Sequence, residues 1–234
     1  MRFLRIFVFV LLLPVFAFSQ DLTRADKIQK LKDLRSQIGT LEKDILLPDA
    51  KDIAQAAKQG VSVFRLMPRE KYEKLLAIRG GGAYYSFTLK SQEYGNATDI
   101  ELQRDNLSVG FAGADYGFLY DLGDTALSNI TKNTGEAFFL VNYKPPTREA
   151  EVRAEARKAA YEYDVNGMKY SSHAKATVGH SYLLRSMNFD QSDVLVALNV
   201  VRQDTDGSLI IFWKTIETFE KPTFIREQVA EAKY

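Results

Sequence analysis

The chain has no cysteine, two histidines and one tryptophan among its 234 residues. Without thiols there are no disulfides, thiolate metal sites or cysteine nucleophiles, so the fold has to be held by apolar packing. An excess of either charge is missing as well: 31 Lys and Arg stand against 30 Asp and Glu. So even a balance leaves no basic footprint for nucleic acid and none for a polybasic membrane association. Long apolar runs are also absent, because no segment reaches the roughly 20 residues that a membrane-spanning helix needs. Aromatic residues are what the sequence has in quantity, with 15 Phe and 12 Tyr. At 46% hydrophobic and 26% charged, the composition is that of an ordinary globular protein.

Residues 1–19 begin with Met1, Arg2 and Arg5, run apolar from Ile6 to Phe18 apart from Pro14, and close on Ala17-Phe18-Ser19. A basic start, a short apolar core and small residues before a cleavage point are the parts of a secretory signal. Cleavage is expected before Gln20, and no cysteine follows for lipid attachment. The expected location is therefore secreted or periplasmic, with no stable membrane span once the leader is gone. Asn-x-Ser/Thr sequons at Asn96, Asn106 and Asn129 matter only in a host that glycosylates.

Periodicity divides the rest into blocks. Ile28, Leu31, Leu34, Ile38, Leu41 and Ile45 recur every three or four residues, as on an amphipathic helix. The pattern is heptad-like only from Leu31 to Ile45, and a helix docked on the domain is preferred over a coiled coil. Pro48-Asp49 restarts the chain, Asp49 caps a second helix, and Gly60 ends it, so residues 20–60 read as a helical hairpin. A first β block covers 61–143, with four short strands from Tyr84 to Leu122 and a fifth at Ala137–Tyr143. Residues 144–166 form a surface helix and linker, with an i,i+4 pair between Glu149 and Arg153. A second β block, 167–234, has strands at Met168–Val178, Tyr182–Met187, Val194–Val201 and Leu209–Phe219, with Asp206-Gly207 as a hairpin turn. The fold class that follows is α+β: a helical hairpin and antiparallel meander strands in a sandwich or partly closed barrel, with 61–234 as one domain.

Motifs that carry chemistry are weak. Gly80-Gly81-Gly82 lacks the Lys-Ser/Thr ending of a phosphate loop and precedes a strand, so it reads as a bend. His173 and His180 have no nucleophile elbow to serve. Asp99 and Glu101 fall on one strand face about 7 Å apart along the strand, a spacing that paired glycosidase carboxylates share, although outward-facing acids are commoner. Asp204-Thr205-Asp206-Gly207-Ser208 begins like a calcium loop but lacks its closing glutamate.

Two functions remain. One is a non-catalytic binding or structural module with an aromatic-rich β surface. Its exposed rings would be Tyr84, on the polar strand face, and Tyr94, in a turn. The alternative is an extracytoplasmic hydrolase of glycans or peptides using Asp99, Glu101 or His180. No cofactor or metal is implied, and neither the ligand nor a protein partner can be named.

Overall fold

The computed structural model describes residues 22–225 apart from 96, 112 and 114. The expected leader and the Asn96 sequon lie outside these residues. The chain divides into two compact units between Gln37 and Ile38. That point falls inside the first helix, α1 (Arg24–Leu46). In the first unit α1 starts at a reciprocal cap: the Asp26 carboxylate accepts the Thr23 N–H at 3.1 Å, and the Thr23 hydroxyl accepts the Asp26 N–H at 3.2 Å.

The second unit continues with α2 (Ala50–Gln59), β1 (Ser62–Leu66), α3 (Arg69–Tyr72), β2 (Tyr84–Tyr85), β3 (Ile100–Gln103), β4 (Asn106–Ser108) and β5 (Tyr116–Asp121). After a 3-10 turn at Leu127–Asn129 come α4 (Ala137–Asn142), α5 (Glu149–Tyr161), β6 (Tyr163–Val165), β7 (Met168–Tyr170) and β8 (His173–Lys175). The chain then completes β9 (Ser181–Asn188), β10 (Ser192–Gln203) and β11 (Leu209–Thr218). The result is the α+β class, with antiparallel sheets that do not close into a barrel.

Five strands form one sheet in the order β1-β11-β10-β9-β5, and four form another in the order β2-β3-β4-β8. The two sequence blocks are interleaved: β1 pairs with β11, β5 with β9 and β4 with β8. Alternation along the long strands gives the five-stranded sheet two buried faces. Leu184, Val196, Leu198 and Trp213 join Tyr85, Ile100 and Leu107 of the smaller sheet in one apolar cluster. Leu183, Leu195, Ala197 and Phe212 face the other way, onto Ala137 and Leu140 of α4 and Val152 and Ala159 of α5.

Several expectations need correction. The apolar stripe of α1, expected to be covered, is exposed at Ile28, Leu31, Leu34, Ile38, Leu41 and Ile45. Asp49 sits at the N-cap of α2 but makes no capping bond, because its carboxylate pairs with Arg65 at 3.3 Å and Arg202 at 3.0 Å. The first of the four short strands expected from Tyr84 stops after Tyr85, and Leu89 is exposed. Met168–Val178 is broken into β7 and β8, which enter different sheets. Ala137–Tyr143 is a helix: burial falls on Ala137 and Leu140, three residues apart, a helical spacing. The surface helix packs more firmly than expected, with Val152 and Ala159 fully buried, and its Glu149–Arg153 pair forms at 2.6 Å.

Gly80, Gly81 and Gly82 all have positive φ, and a Cβ on Gly82 would lie 2.3 Å from Leu46 Cδ2. The triplet is a bend closed by packing.

Candidate functional site

The acids singled out in the sequence are not on an outer face. Asp99 is 0% exposed and Glu101 5%. Asp99, just ahead of β3, accepts the Phe87 N–H at 2.7 Å and the Asn188 side-chain amide at 2.8 Å. Burial pushes its carboxyl up to about 6, against the opposing pull of those hydrogen bonds. Glu101 accepts from Arg69 Nη1 at 2.9 Å. Alternation read these side chains as solvent-facing because it cannot see Asn188, whose hairpin returns from 89 residues away.

Tyr84 is likewise corrected from exposed to buried, at 4%. Its ring lies 4.7 Å from Tyr94 and 5.5 Å from Phe111, with the Arg69 guanidinium 5.8 Å from its centroid. Burial, reinforced by the neighbouring Glu101 carboxylate, holds the phenol far above its ordinary pKa. Tyr84, Tyr94 and Glu101 are thus brought together, but as packing around the small sheet. Tyr94 is half-buried, and the Tyr84 ring has no open face for a ligand.

His180 belongs elsewhere. It pairs with Asp121 at 3.0 Å just ahead of β9, whereas Asp99 meets the last residue of that strand. Eight residues at 3.3 Å each separate those two places by roughly 26 Å. No proton can pass between Asp99 and His180 in one catalytic step. The remaining motif acids are engaged too. Asp204 pairs with Arg65 and Arg202, each at 2.5 Å, which lowers its pKa, and Asp206 accepts from the Tyr72 hydroxyl at 3.1 Å. Among the described residues no three His, Asp or Glu side chains gather in a metal-holding group.

A groove lies over α4, which the sequence read as a strand. About 720 Å³ in volume, it is lined by Phe138, Phe139, Asn142 and Tyr143 together with Lys132, Asn133, Val165 and Asn166. Helical geometry explains the lining. With Ala137 and Leu140 turned into the core, Phe138 points outward and is 70% exposed, and Asn142 follows it one turn later. Phe139 is fixed by its neighbours, its ring 5.3 Å from Phe118, 5.3 Å from Tyr163 and 4.7 Å from Tyr170. Tyr143 bonds the Tyr116 hydroxyl at 2.8 Å and donates to Glu155 at 3.0 Å.

The helix itself is anchored from below. Arg185 of β9 donates to the Leu140 carbonyl, and to the Tyr143 carbonyl at 2.9 Å. These carbonyls, at and just beyond the end of α4, receive a donor from another element. Asp193 holds the guanidinium at two points, 2.9 and 2.7 Å, and the Phe219 ring lies 3.8 Å from it. A second cleft, of about 770 Å³, runs past Gln55, Thr125, Asn199 and Lys214. The Asn199 amide there is committed to the Gly179 and His180 carbonyls, both at 3.1 Å.

Sequence reasoning missed the α4 groove entirely. The available signal was Ala137 and Leu140 three residues apart, a separation that puts two apolar side chains on one face of a helix but on opposite faces of a strand. Comparison of the chain with protein-family models, curated proteins and solved structures finds no match.

Proposed function

We propose that the protein is an exported, non-catalytic binding module whose ligand lies in the α4 groove. The observation that carries this reading is Phe138: a large aromatic ring left in solvent on a helix that a buried ion pair and an aromatic cluster hold still. A rigid apolar platform beside the side-chain amides of Asn133 and Asn166, with that of Asn142 held on the Phe138 carbonyl at 2.8 Å, suits a ligand with an apolar face and a hydrogen-bonding edge. Saccharide rings have that character, and we take carbohydrate as the ligand class. The hydrolase reading loses support because Asp99 and Glu101 are packed among structural partners and His180 lies far from Asp99. Export rests on the leader sequence alone, and amino-terminal sequencing of protein from its host should begin at Gln20.

A glycan array followed by titration calorimetry tests the ligand. Phe138→Ala should weaken binding at least about tenfold, equivalent to about 1.4 kcal/mol, while Phe138→Trp preserves it. The bound glycan should be recovered unchanged. Failure to bind any glycan overturns the ligand class, and binding indifferent to Phe138→Ala overturns the site. Turnover abolished by Glu101→Gln or His180→Ala with the fold intact would establish the enzyme instead.

A further inference from the structure

Among the described residues, the apolar stripe of α1 is a line of exposed aliphatic side chains. Leu31, Leu34, Ile38, Leu41 and Ile45 occupy alternating three- and four-residue steps, the a and d positions of a heptad, and each is between 43% and 62% exposed. A line of large aliphatic side chains left in water marks an interaction surface. Charge along the same helix identifies the occupant. From Arg24 to Gln37 it carries Arg24, Lys27, Lys30, Lys32 and Arg35 against Asp26 and Asp33; from Ile38 to Leu46 it carries Lys43 against Glu42 and Asp44. The beginning is basic and the end acidic, so the helix is complementary to a reversed copy of itself.

We infer that α1 pairs antiparallel with α1 of a second copy of this chain. In the register that covers the seam best, Leu31 packs on the partner's Leu41 and Leu34 on the partner's Ile38, each contact occurring twice. Lys30 then lies beside the partner's Asp44, also twice. A parallel pair would instead set Lys30 beside the partner's Arg35 and the two basic halves against each other, which like-charge repulsion disfavours. Arg35 approaches the partner's Arg35 at the two-fold axis and is the only like-charge contact along the antiparallel seam. Four apolar layers make a short interface, so the dimer is reversible.

Sedimentation equilibrium of the protein purified from its host, over about a hundredfold range of concentration, should show a monomer–dimer equilibrium. Leu34→Asp should weaken the dimer by more than about tenfold and leave the circular dichroism of the sheets unchanged, since Leu34 is exposed in the single chain. Arg35→Gln should tighten it. Orientation is read by disulfide trapping, which the absence of native cysteine makes unambiguous. Leu31→Cys mixed with Leu41→Cys should crosslink, whereas Leu31→Cys alone should not, because antiparallel copies hold those residues about 15 Å apart. A monomer at every concentration overturns the inference, as does crosslinking of Leu31→Cys with itself. A monomer that binds anionic lipid vesicles through this stripe also overturns it, in favour of a membrane surface.

Discussion

Each face of the five-stranded sheet buries a carboxylate, and the two are held in opposite ways. On the face toward the small sheet, Asp99 is surrounded by neutral donors: the Phe87 N–H and the Asn188 amide, itself held by Ser186 and Ser192 at 3.2 Å. On the face toward the helices, Asp193 has the Arg185 guanidinium at two points. Burial raises both pKa values; Arg185 opposes the rise at Asp193, and at Asp99 only hydrogen bonds do. The difference follows from what each face must hold. Between two sheets the backbone is already paired, and a neutral network suffices. Beneath α4 the helix end leaves carbonyls without donors, and an arginine can serve them only if its own charge is balanced.

The largest effect should come from removing that arginine. Arg185→Met strands the Asp193 charge in the core and takes the donor from two carbonyls. Urea denaturation should show a loss of about 3–5 kcal/mol. Glycan binding should weaken as well, because α4 loses its anchor. The double variant Arg185→Met with Asp193→Asn should recover part of the stability. If the two losses instead simply add, the pair is not a coupled unit.

Effects nearly as large test whether both faces are core. Phe212 and Trp213 are neighbours on β11 with their rings on opposite faces, both almost wholly buried. Each truncation to Ala should cost about 3–5 kcal/mol. The indole Nε1–H makes no hydrogen bond of normal geometry, although the Tyr85 hydroxyl is close enough to feel it. Trp213→Phe should therefore be tolerated far better than Trp213→Ala. A stable Phe212→Ala variant would mean that the helical layer contributes little.

The neutral cage around Asp99 makes a pH prediction. Its carboxyl titrates near 3.8 when unfolded and near 6 when folded. Between those values the folded protein keeps a proton that the unfolded chain releases, which favours folding. That contribution is complete below the unfolded value and is lost as pH rises through the folded one. At about 1.4 kcal/mol per pKa unit the total is about 3 kcal/mol. Asp99→Asn cannot titrate, so wild-type stability relative to this variant should fall by that amount between about pH 4 and about pH 7. A difference that stays constant with pH would show that Asp99 is ionised throughout.

The sequence makes the long-range parts of this comparison hard to see, for physical reasons. Strands β9, β10 and β11 were legible because their apolar runs are long and Asp206-Gly207 marks the turn between β10 and β11. The helix α5 was legible because its charged pattern has no β alternative, although it begins at Glu149 with Arg148 at the N-cap and not with Thr147 as the cap. By contrast, α4 is six residues of Ala, Phe, Leu, Val and Asn, a run that reads equally as strand. What decides it is Arg185, more than 40 residues away. Tyr84, Asp99 and Glu101 were assigned to solvent because alternation assumes that one strand face is wet. Their partners Arg69 and Asn188 come from other elements. The groove was missed for the same reason as α4, and the stripe of α1, legible as apolar, is exposed.

The smallest predicted effect concerns a third carboxylate, intermediate between the two extremes. Glu101 is buried like Asp99 and paired with an arginine like Asp193, but its cation, Arg69, stands at the rim with its side chain 32% exposed. Arg69 also pairs with Glu73 at 3.1 Å, so its charge is shared with an exposed acid. Water reaches the guanidinium, and the pair gains less than a buried one while paying less desolvation. Arg69→Gln should therefore cost about 1 kcal/mol, well below the loss from Arg185→Met. Salt separates the two cases: at about 1 M sodium chloride the Debye length falls to about 3 Å, which screens the rim pair but not the buried one. The cost of Arg69→Gln should shrink as salt is raised, and that of Arg185→Met should stay the same. If both are salt-independent, Glu101 belongs with Asp193 and the rim does not conduct solvent to it. If Arg69→Gln costs as much as Arg185→Met, then desolvation of the carboxylate alone, irrespective of the exposure of its cation, sets the strength of these pairs.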